Sequence, residues 1–195
     1  MLKDLVLANR SFRGYDESYK VSRKELMDIV DHARLSPSAK NAQILKFLVA
    51  CEEEVVTKIQ AQTKWAGALS ELNLPREGSR PTGFIIILND SNFETPIGLV
   101  QKDVGIASAV MTLAATEKGL GCCMIGSYSG KGLIEALDLP EHLKPIFVIA
   151  VGKPAEKIVL TDASKGESVK YYRDNNDVHY VPKRKLEDIV VFPKT

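Results

Sequence analysis

Between Ile97 and Gly126 the chain carries an apolar pattern with almost no charged face. Val104, Ile106, Ala107, Val110, Met111, Leu113 and Ala114 recur without a polar stripe, because Gln101, Lys102 and Asp103 crowd the first turn and Glu117 and Lys118 the last. The spacing predicts one buried helix of roughly 22 residues, about 33 Å at 1.5 Å per residue, ending at Gly119. Gly121 then leads into an apolar run at Cys122–Ile125. Small residues at Gly105, Ala107, Ser108, Ala109, Ala114 and Ala115 would let a second helix approach closely, whether within one monomer or across a dimer.

Other segments are arranged around this one. Leu2, Leu5 and Val6 predict a short amphipathic helix. Ser22 with Glu25 is a capping-box pattern, and Leu26, Ile29, Val30 and Ala33 follow at helical spacing up to about Leu35, since Pro37 disfavours helical geometry at Ser36. Apolar runs at Phe47–Cys51, Phe84–Leu88, Met124–Tyr128 and Lys144–Val151 predict strands, and Lys131–Leu137 a short helix. A weaker helical pattern covers Glu52 to about Leu69, and Asn73–Arg80, with Pro75 and Gly78, reads as a loop or lid.

From Thr161 to Lys185 the pattern changes to polar residues with three tyrosines and almost no aliphatic core, so this segment must lie on something else. Leu186, Ile189, Val190, Val191 and Phe192 then form a patch that needs cover. A C-terminal arm on a second subunit would supply it, as would a tail wrapped on its own domain.

Composition narrows the function classes. Lys plus Arg number 26 against 25 Asp plus Glu, so no overall basic field recruits nucleic acid or an anionic membrane, and any anion must be held by a local cluster. The apolar stretches read as too short or interrupted to span a bilayer, and no cleavable leader pattern is present, which points to the cytoplasm. Cys51, Cys122 and Cys123 form neither a disulfide framework nor a CxxC motif. His32, His142 and His179 show no metal-ligand spacing and no orienting partner. Gly119-Leu120-Gly121 resembles the start of a dinucleotide fingerprint, but the third glycine position is Met124 and the order is helix, glycines, strand, the reverse of what that motif requires.

What remains are anion-binding and amide-rich segments. Arg10 and Arg13 can present guanidinium forks to a phosphate, with Ser11 adding a hydroxyl donor. Lys183, Arg184 and Lys185 form a second basic cluster. Ser38, Asn41 and Gln43 can hydrogen-bond a polyhydroxylated chain or a heterocycle edge.

Six segments, RSFRGY at Arg10–Tyr15, SPSAKNAQ at Ser36–Gln43, DVGIA at Asp103–Ala107, GLGCCMIG at Gly119–Gly126, VIAVGKP at Val148–Pro154 and VPKRKLEDIV from Val181, together resemble the FMN-dependent nitroreductase family, in order over nearly the whole chain. The resemblance implies an α+β sandwich with a mixed central sheet flanked by helices, in an intertwined homodimer with two FMN sites at the interface. It divides the chain into an FMN-binding core, 1–160, and a C-terminal arm, 161–195, that completes the domain and reaches the partner's sheet. By position, Arg10, Ser11 and Arg13 would hold the FMN phosphate, the ribityl chain and the N1/O2 side of the ring. Pro37, Ser38, Ala39 and Asn41 would approach from the other subunit, Met124, Ile125 and Gly126 would pass along the ring near N5, and Arg184 with Lys183 would complete the phosphate clamp. The implied activity is a ping-pong oxidoreductase that takes hydride from NAD(P)H and reduces nitroaromatic, quinone or related acceptors. The same cradle would serve a flavin reductase, a reductive dehalogenase, a heterocycle dehydrogenase or a non-catalytic flavin-binding protein. Trp65, Tyr128 and the Asn73–Arg80 loop are expected to shape the acceptor pocket. Three positions depart from the family pattern: Asn9 replaces a second arginine, Ile44 a proline, and Ile125 a glutamate found in some members.

Overall fold

The computed structural model describes residues 1–193. Helices α1 (Leu2–Ala8), α2 (Arg23–Arg34), α3 (Glu53–Ala61), α4 (Ile97–Glu117) and α5 (Gly130–Leu137) surround a sheet of β1 (Tyr15–Asp16), β2 (Leu45–Ala50), β3 (Gly83–Asp90), β4 (Gly121–Ile125) and β5 (Leu143–Pro154). β5 is the spine of this sheet. It pairs with β3 along one edge, while β4 and β1 share its other edge end to end, and β2 closes the far side against β3. These ladders are antiparallel; parallel pairing enters at the bridge between Ser11 and Cys122 and in a smaller sheet described below.

Phe84–Ile87 are fully buried because helices cover both faces of β3. Ile85 and Ile87 join one core with Leu26 and Ile29 of α2 and Met111 of α4. Phe84, Ile86 and Leu88 point the other way, into a second core with Ile59 of α3 and Leu133 of α5. Period-two alternation thus splits one apolar strand between two layers. The predicted capping box of α2 is present: Ser22 Oγ accepts from the Glu25 amide at 3.2 Å, and the Glu25 carboxylate accepts from the Ser22 amide at 2.8 Å.

The central helix matches the sequence reading closely in its bounds, whereas the strand expected at Met124–Tyr128 lies earlier, at Gly121–Ile125. α4 stops where Gly119 takes φ +69° and the amide of Leu120 returns to the carbonyl of Ala115, a C-terminal turn that glycine accommodates without steric cost. Gly121 serves packing rather than phosphate binding, since a Cβ there would stand 2.5 Å from the Phe12 ring and 2.7 Å from Pro154. α4 is, however, not buried all round. Gly98, Gln101, Lys102, Gly105, Ile106 and Ala109 are exposed along one stripe. Contrary to the sequence reading, α4 is by length and composition long enough to cross a membrane, but Val100, Val104, Ala107, Met111 and Ala115 pack into the core with the sheet and α2.

Two expectations need correction. The pattern from Glu52 to Leu69 is helical only to Ala61, because the chain turns to pair with the segment after β4: Lys64 donates to the Ser127 carbonyl, Ser129 to the Gln62 carbonyl, and Thr63 bridges Tyr128. A separate 3₁₀ turn follows at Gly67–Leu72. The polar segment after Thr161, read without elements of its own, contains strands. β6 (Ile158–Ala163), β7 (Tyr172–Arg173) and β8 (His179–Arg184) form a second sheet, with β8 central, parallel to β6 and antiparallel to β7. Beyond it the apolar patch is uncovered: Leu186 is 70% and Phe192 80% exposed.

Candidate functional site

Where the segment before β1 crosses the edge of β4, a cavity of about 380 Å³ opens between the two sheets. Ser11 bridges Cys122, and the Phe12 amide donates to the Cys122 carbonyl at 2.9 Å, which fixes the backbone that carries Arg10, Ser11 and Arg13. Met124 lies on the same face of β4 as Cys122 and lines the cavity. The opposite wall is one face of β8, where alternation presents His179, Val181 and Lys183. Arg10, Arg13 and Lys183 bring positive charge, and no carboxylate is among the lining residues.

Each arginine is held from behind. Arg10 Nη2 donates to the Val6 carbonyl at 2.7 Å, and burial lowers its pKa from the ordinary arginine value. Arg13 Nη1 donates to the Ser11 carbonyl at 3.1 Å, and its guanidinium lies 4.8 Å from the centre of the Tyr171 ring, within cation–π range. The Arg13 amide donates to Glu156, which also pairs with Arg173. The Nε atoms of both Arg10 and Arg13 are buried without a partner. Asn9, in the place of a second arginine, donates to Thr112 Oγ1 of α4 at 2.9 Å and ties the cavity floor to the central helix.

The remaining predicted residues are distributed differently. Pro37 and Ser38 line a separate hollow of about 190 Å³ beside α4, where the Ala39 amide donates to the buried Asp103 at 2.8 Å. Asn41 lies in the same loop, in which Lys40, Asn41 and Gln43 hold φ values of 54°, 52° and 50°. Left-handed backbone at three non-glycine residues is costly, and such segments concentrate at functional sites. Within one chain this loop does not line the arginine cavity. Ile125 turns its side chain into the second core, so only its backbone faces the strand edge, and Gly126 follows it, exposed. Arg184 has the wrong parity for the clamp: its guanidinium donates to the Ser164 carbonyl at 2.7 Å, away from Lys183. Lys185 follows β8 directly and is not among the residues that line the cavity. Trp65 and Tyr128 pack on the second core and do not line the cavity. The Asn73–Arg80 loop is tethered to the C-terminal segment by a two-pronged pair between Arg76 and Asp177, at 2.8 and 3.0 Å.

Residues that the sequence reading passed over complete the wall. Tyr171 and His179 stack with ring centres 5.3 Å apart, and His179 is 1% exposed with its Nδ1 unpartnered. Burial first, then the charges of Arg13 and Arg173, push its pKa down to about 4, so the ring is neutral near pH 7. The alternation in His179-Tyr180-Val181-Pro182-Lys183 was the available signal. The two adjacent cysteines are inert packing residues: burial raises the pKa of Cys122 strongly and that of Cys123 to about 11.

The family model described as the nitroreductase family matches residues 6–153. A protein of Methanothermobacter thermautotrophicus named "Putative NADH dehydrogenase/NAD(P)H nitroreductase" is 30% identical over 158 residues, covering 78% of this chain and 77% of that protein. An FMN reductase (NAD(P)H) of Bacillus subtilis is 28% identical over 160 residues, covering 76% of this chain and 64% of its own length. The crystal structure of a nitroreductase family protein from Streptococcus pneumoniae superposes with a TM-score of 0.71 at 17% identity, over 99% of this chain and 100% of that one, a likeness of fold. This chain belongs to the nitroreductase family.

Proposed function

We propose that this chain is an FMN-dependent oxidoreductase that takes hydride from NAD(P)H and reduces nitroaromatic, quinone or related acceptors in a ping-pong cycle. The observation that carries the reading is the cavity itself, where Arg10, Arg13 and Lys183 converge from opposite ends of the chain with no opposing carboxylate. Its volume is within the range of small-molecule and cofactor sites. Its walls combine cations and a hydroxyl with the apolar faces of Val181 and Met124, a donor set that fits a flavin carrying a phosphate tail. Bound FMN supplies the redox chemistry.

The chain supplies placement and charge. Arg10, Ser11 and Lys183 would hold the phosphate and ribityl end, with Arg184 facing away. Arg13, fixed over Tyr171, would hold the N1/O2 side of the ring and supply it with preorganised positive charge. Met124, Ile125 and Gly126 would run along the ring, the last two offering backbone groups only. No side chain in the cavity is needed as a nucleophile or general base.

The active form in this proposal is a homodimer. Pro37, Ser38, Ala39 and Asn41 of one subunit complete the partner's site, which accounts for their separation from the arginine cavity within one chain. The exposed small-residue stripe of α4 and the uncovered patch from Leu186 to Phe192 are the surfaces that association would bury. Residues 1–160 act as the FMN-binding core, with 161–195 completing it, although β6 runs across residue 160. The free cysteines suit a reducing compartment, and we place the enzyme in the cytoplasm.

Purified protein should be yellow and elute as a dimer, and anaerobic NADH or NADPH should bleach the flavin band, with colour restored by a nitroaromatic or quinone. A colourless monomer that takes up no added FMN would overturn the proposal.

A further inference from the structure

His179 is the one buried histidine among the described residues, and it stands in the wall of the cavity. It is held there by the small sheet. Its amide donates to the Lys157 carbonyl at 2.9 Å, it is in register with Ile158 on one side and Arg173 on the other, and its ring stacks on Tyr171, over which Arg13 lies. A position fixed in three directions costs little further entropy when it meets a ligand.

Two facts decide what such a ring offers. Nδ1 is buried with no partner, so the single proton of the neutral imidazole is held at lower cost on Nε2, because an orphaned buried N–H is rarer than an orphaned acceptor. The ring also lies toward Arg13 rather than toward the phosphate clamp. Lys183 is four residues further along the same extended strand, about 13 Å at 3.3 Å per residue. One phosphate cannot be held from both places.

Resting on the FMN reading above, we propose that His179 is an additional cofactor-binding residue, a neutral imidazole that donates a hydrogen bond at the Arg13 end of the cavity, to the pyrimidine side of the flavin ring. It adds a directed donor without a fourth positive charge. Burial first and then the charges of Arg13 and Arg173 explain the neutrality, with the carboxylate of Asp177 opposing them.

A contact at the ring and a contact at the phosphate are separable with riboflavin, which keeps the ring and lacks the phosphate. Dissociation constants for FMN and riboflavin, from quenching of flavin fluorescence at pH 7.5, are compared for wild type, His179→Phe, His179→Gln and Lys183→Ala. The proposal expects His179→Phe to weaken both flavins by a similar factor, about five-fold for one neutral hydrogen bond. His179→Gln, which keeps an N–H, should recover at least half of that loss in free energy, whereas Lys183→Ala should weaken FMN alone. Thermal melts of the apo variants identify a folding failure, in which case the glutamine variant decides. Unchanged riboflavin affinity in both folded histidine variants would overturn the proposal while leaving the FMN reading intact. A wild type that binds neither flavin would overturn both.

Discussion

Glu156 accepts the backbone amide of Arg13, a residue 143 positions earlier in the chain, and pairs at the same time with the guanidinium of Arg173. Both ionic side chains are 5% exposed. The carboxylate is therefore the joint between the segment that carries the candidate site and the small sheet that walls it. Removing one member of a buried pair strands the other, at about 3 to 5 kcal/mol. Glu156→Gln is expected to lose about 3 kcal/mol in urea denaturation, the low end because Arg173 retains Asp177 at 3.0 Å. Adding Arg173→Met should recover part of the loss, a non-additivity that marks direct coupling. If the two single losses simply add, the joint is not there.

The parity of β8 gives a second prediction. Lys183 faces the cavity and Arg184 does not, so Lys183→Ala should weaken FMN binding by about ten-fold or more, as expected for losing a charge-assisted contact. Arg184→Ala should change it by less than about two-fold. Titration of the apo proteins with FMN checks both, and a reversed order would mean that the strand presents its other face.

Much of this arrangement was legible from local pattern, and the limits follow from the same physics. The α2 cap needs only Ser22 and Glu25, three residues apart, and the end of α4 only a glycine after an apolar repeat. Sites built from one segment, such as Arg10 with Ser11 and Arg13, are likewise read from adjacent residues. The family resemblance supplied the pairing of that segment with Lys183, which no local rule provides. What stayed hidden are choices of partner over long separations: Arg76 with Asp177, 101 residues away, or Arg13 with Glu156. The first depends on where β7 and β8 fold back and the second on the turn between β5 and β6, and outside the alternation of His179–Lys183 the sparse apolar content after Thr161 gave no period to place them. Arg184 was placed in the clamp by its position in the family pattern, whereas the alternation of β8 turns its guanidinium to the Ser164 carbonyl.

His179 makes apo stability depend on pH in a definite direction. In the unfolded chain its pKa is near 6.5, and in the folded protein about 4, so between these values the unfolded state binds the extra proton. Stability is then complete above about pH 6.5 and falls as pH drops toward 4, by on the order of 3 kcal/mol across the window. Urea melts of wild type and His179→Phe at intervals from pH 7 to pH 4 should give diverging slopes, the variant lacking this component. Parallel curves would show that the imidazole is solvated in the fold.

Gly121 is expected to be intolerant of even one methyl group. A Cβ at that position meets Phe12 at 2.5 Å and Pro154 at 2.7 Å, and both belong to the junction that orients Arg13. Gly121→Ala should cost about 1 to 3 kcal/mol, the usual range for overpacking, and lower flavin retention with it. Gly67→Ala, where nothing lies within 4 Å of the added atom and which is outside the α4 stripe, is the control and should fold with wild-type stability. Equal melting temperatures for the two variants would remove the steric argument.

The uncovered apolar patch is the last feature that an isolated chain leaves unexplained. Leu186, Ile189, Val191 and Phe192 are 70%, 63%, 91% and 80% exposed, and each would contribute about 1.5 to 3 kcal/mol if fully buried. β2 offers a sheet edge whose other side is already paired with β3, the kind of template on which an extended segment adds a strand. If the patch is an arm laid on a partner, a chain ending at Lys185 should shift toward monomer in sedimentation at micromolar concentration and hold less flavin, with its far-UV spectrum preserved. A truncated chain that remains a full dimer with full flavin content would assign those residues to no interface.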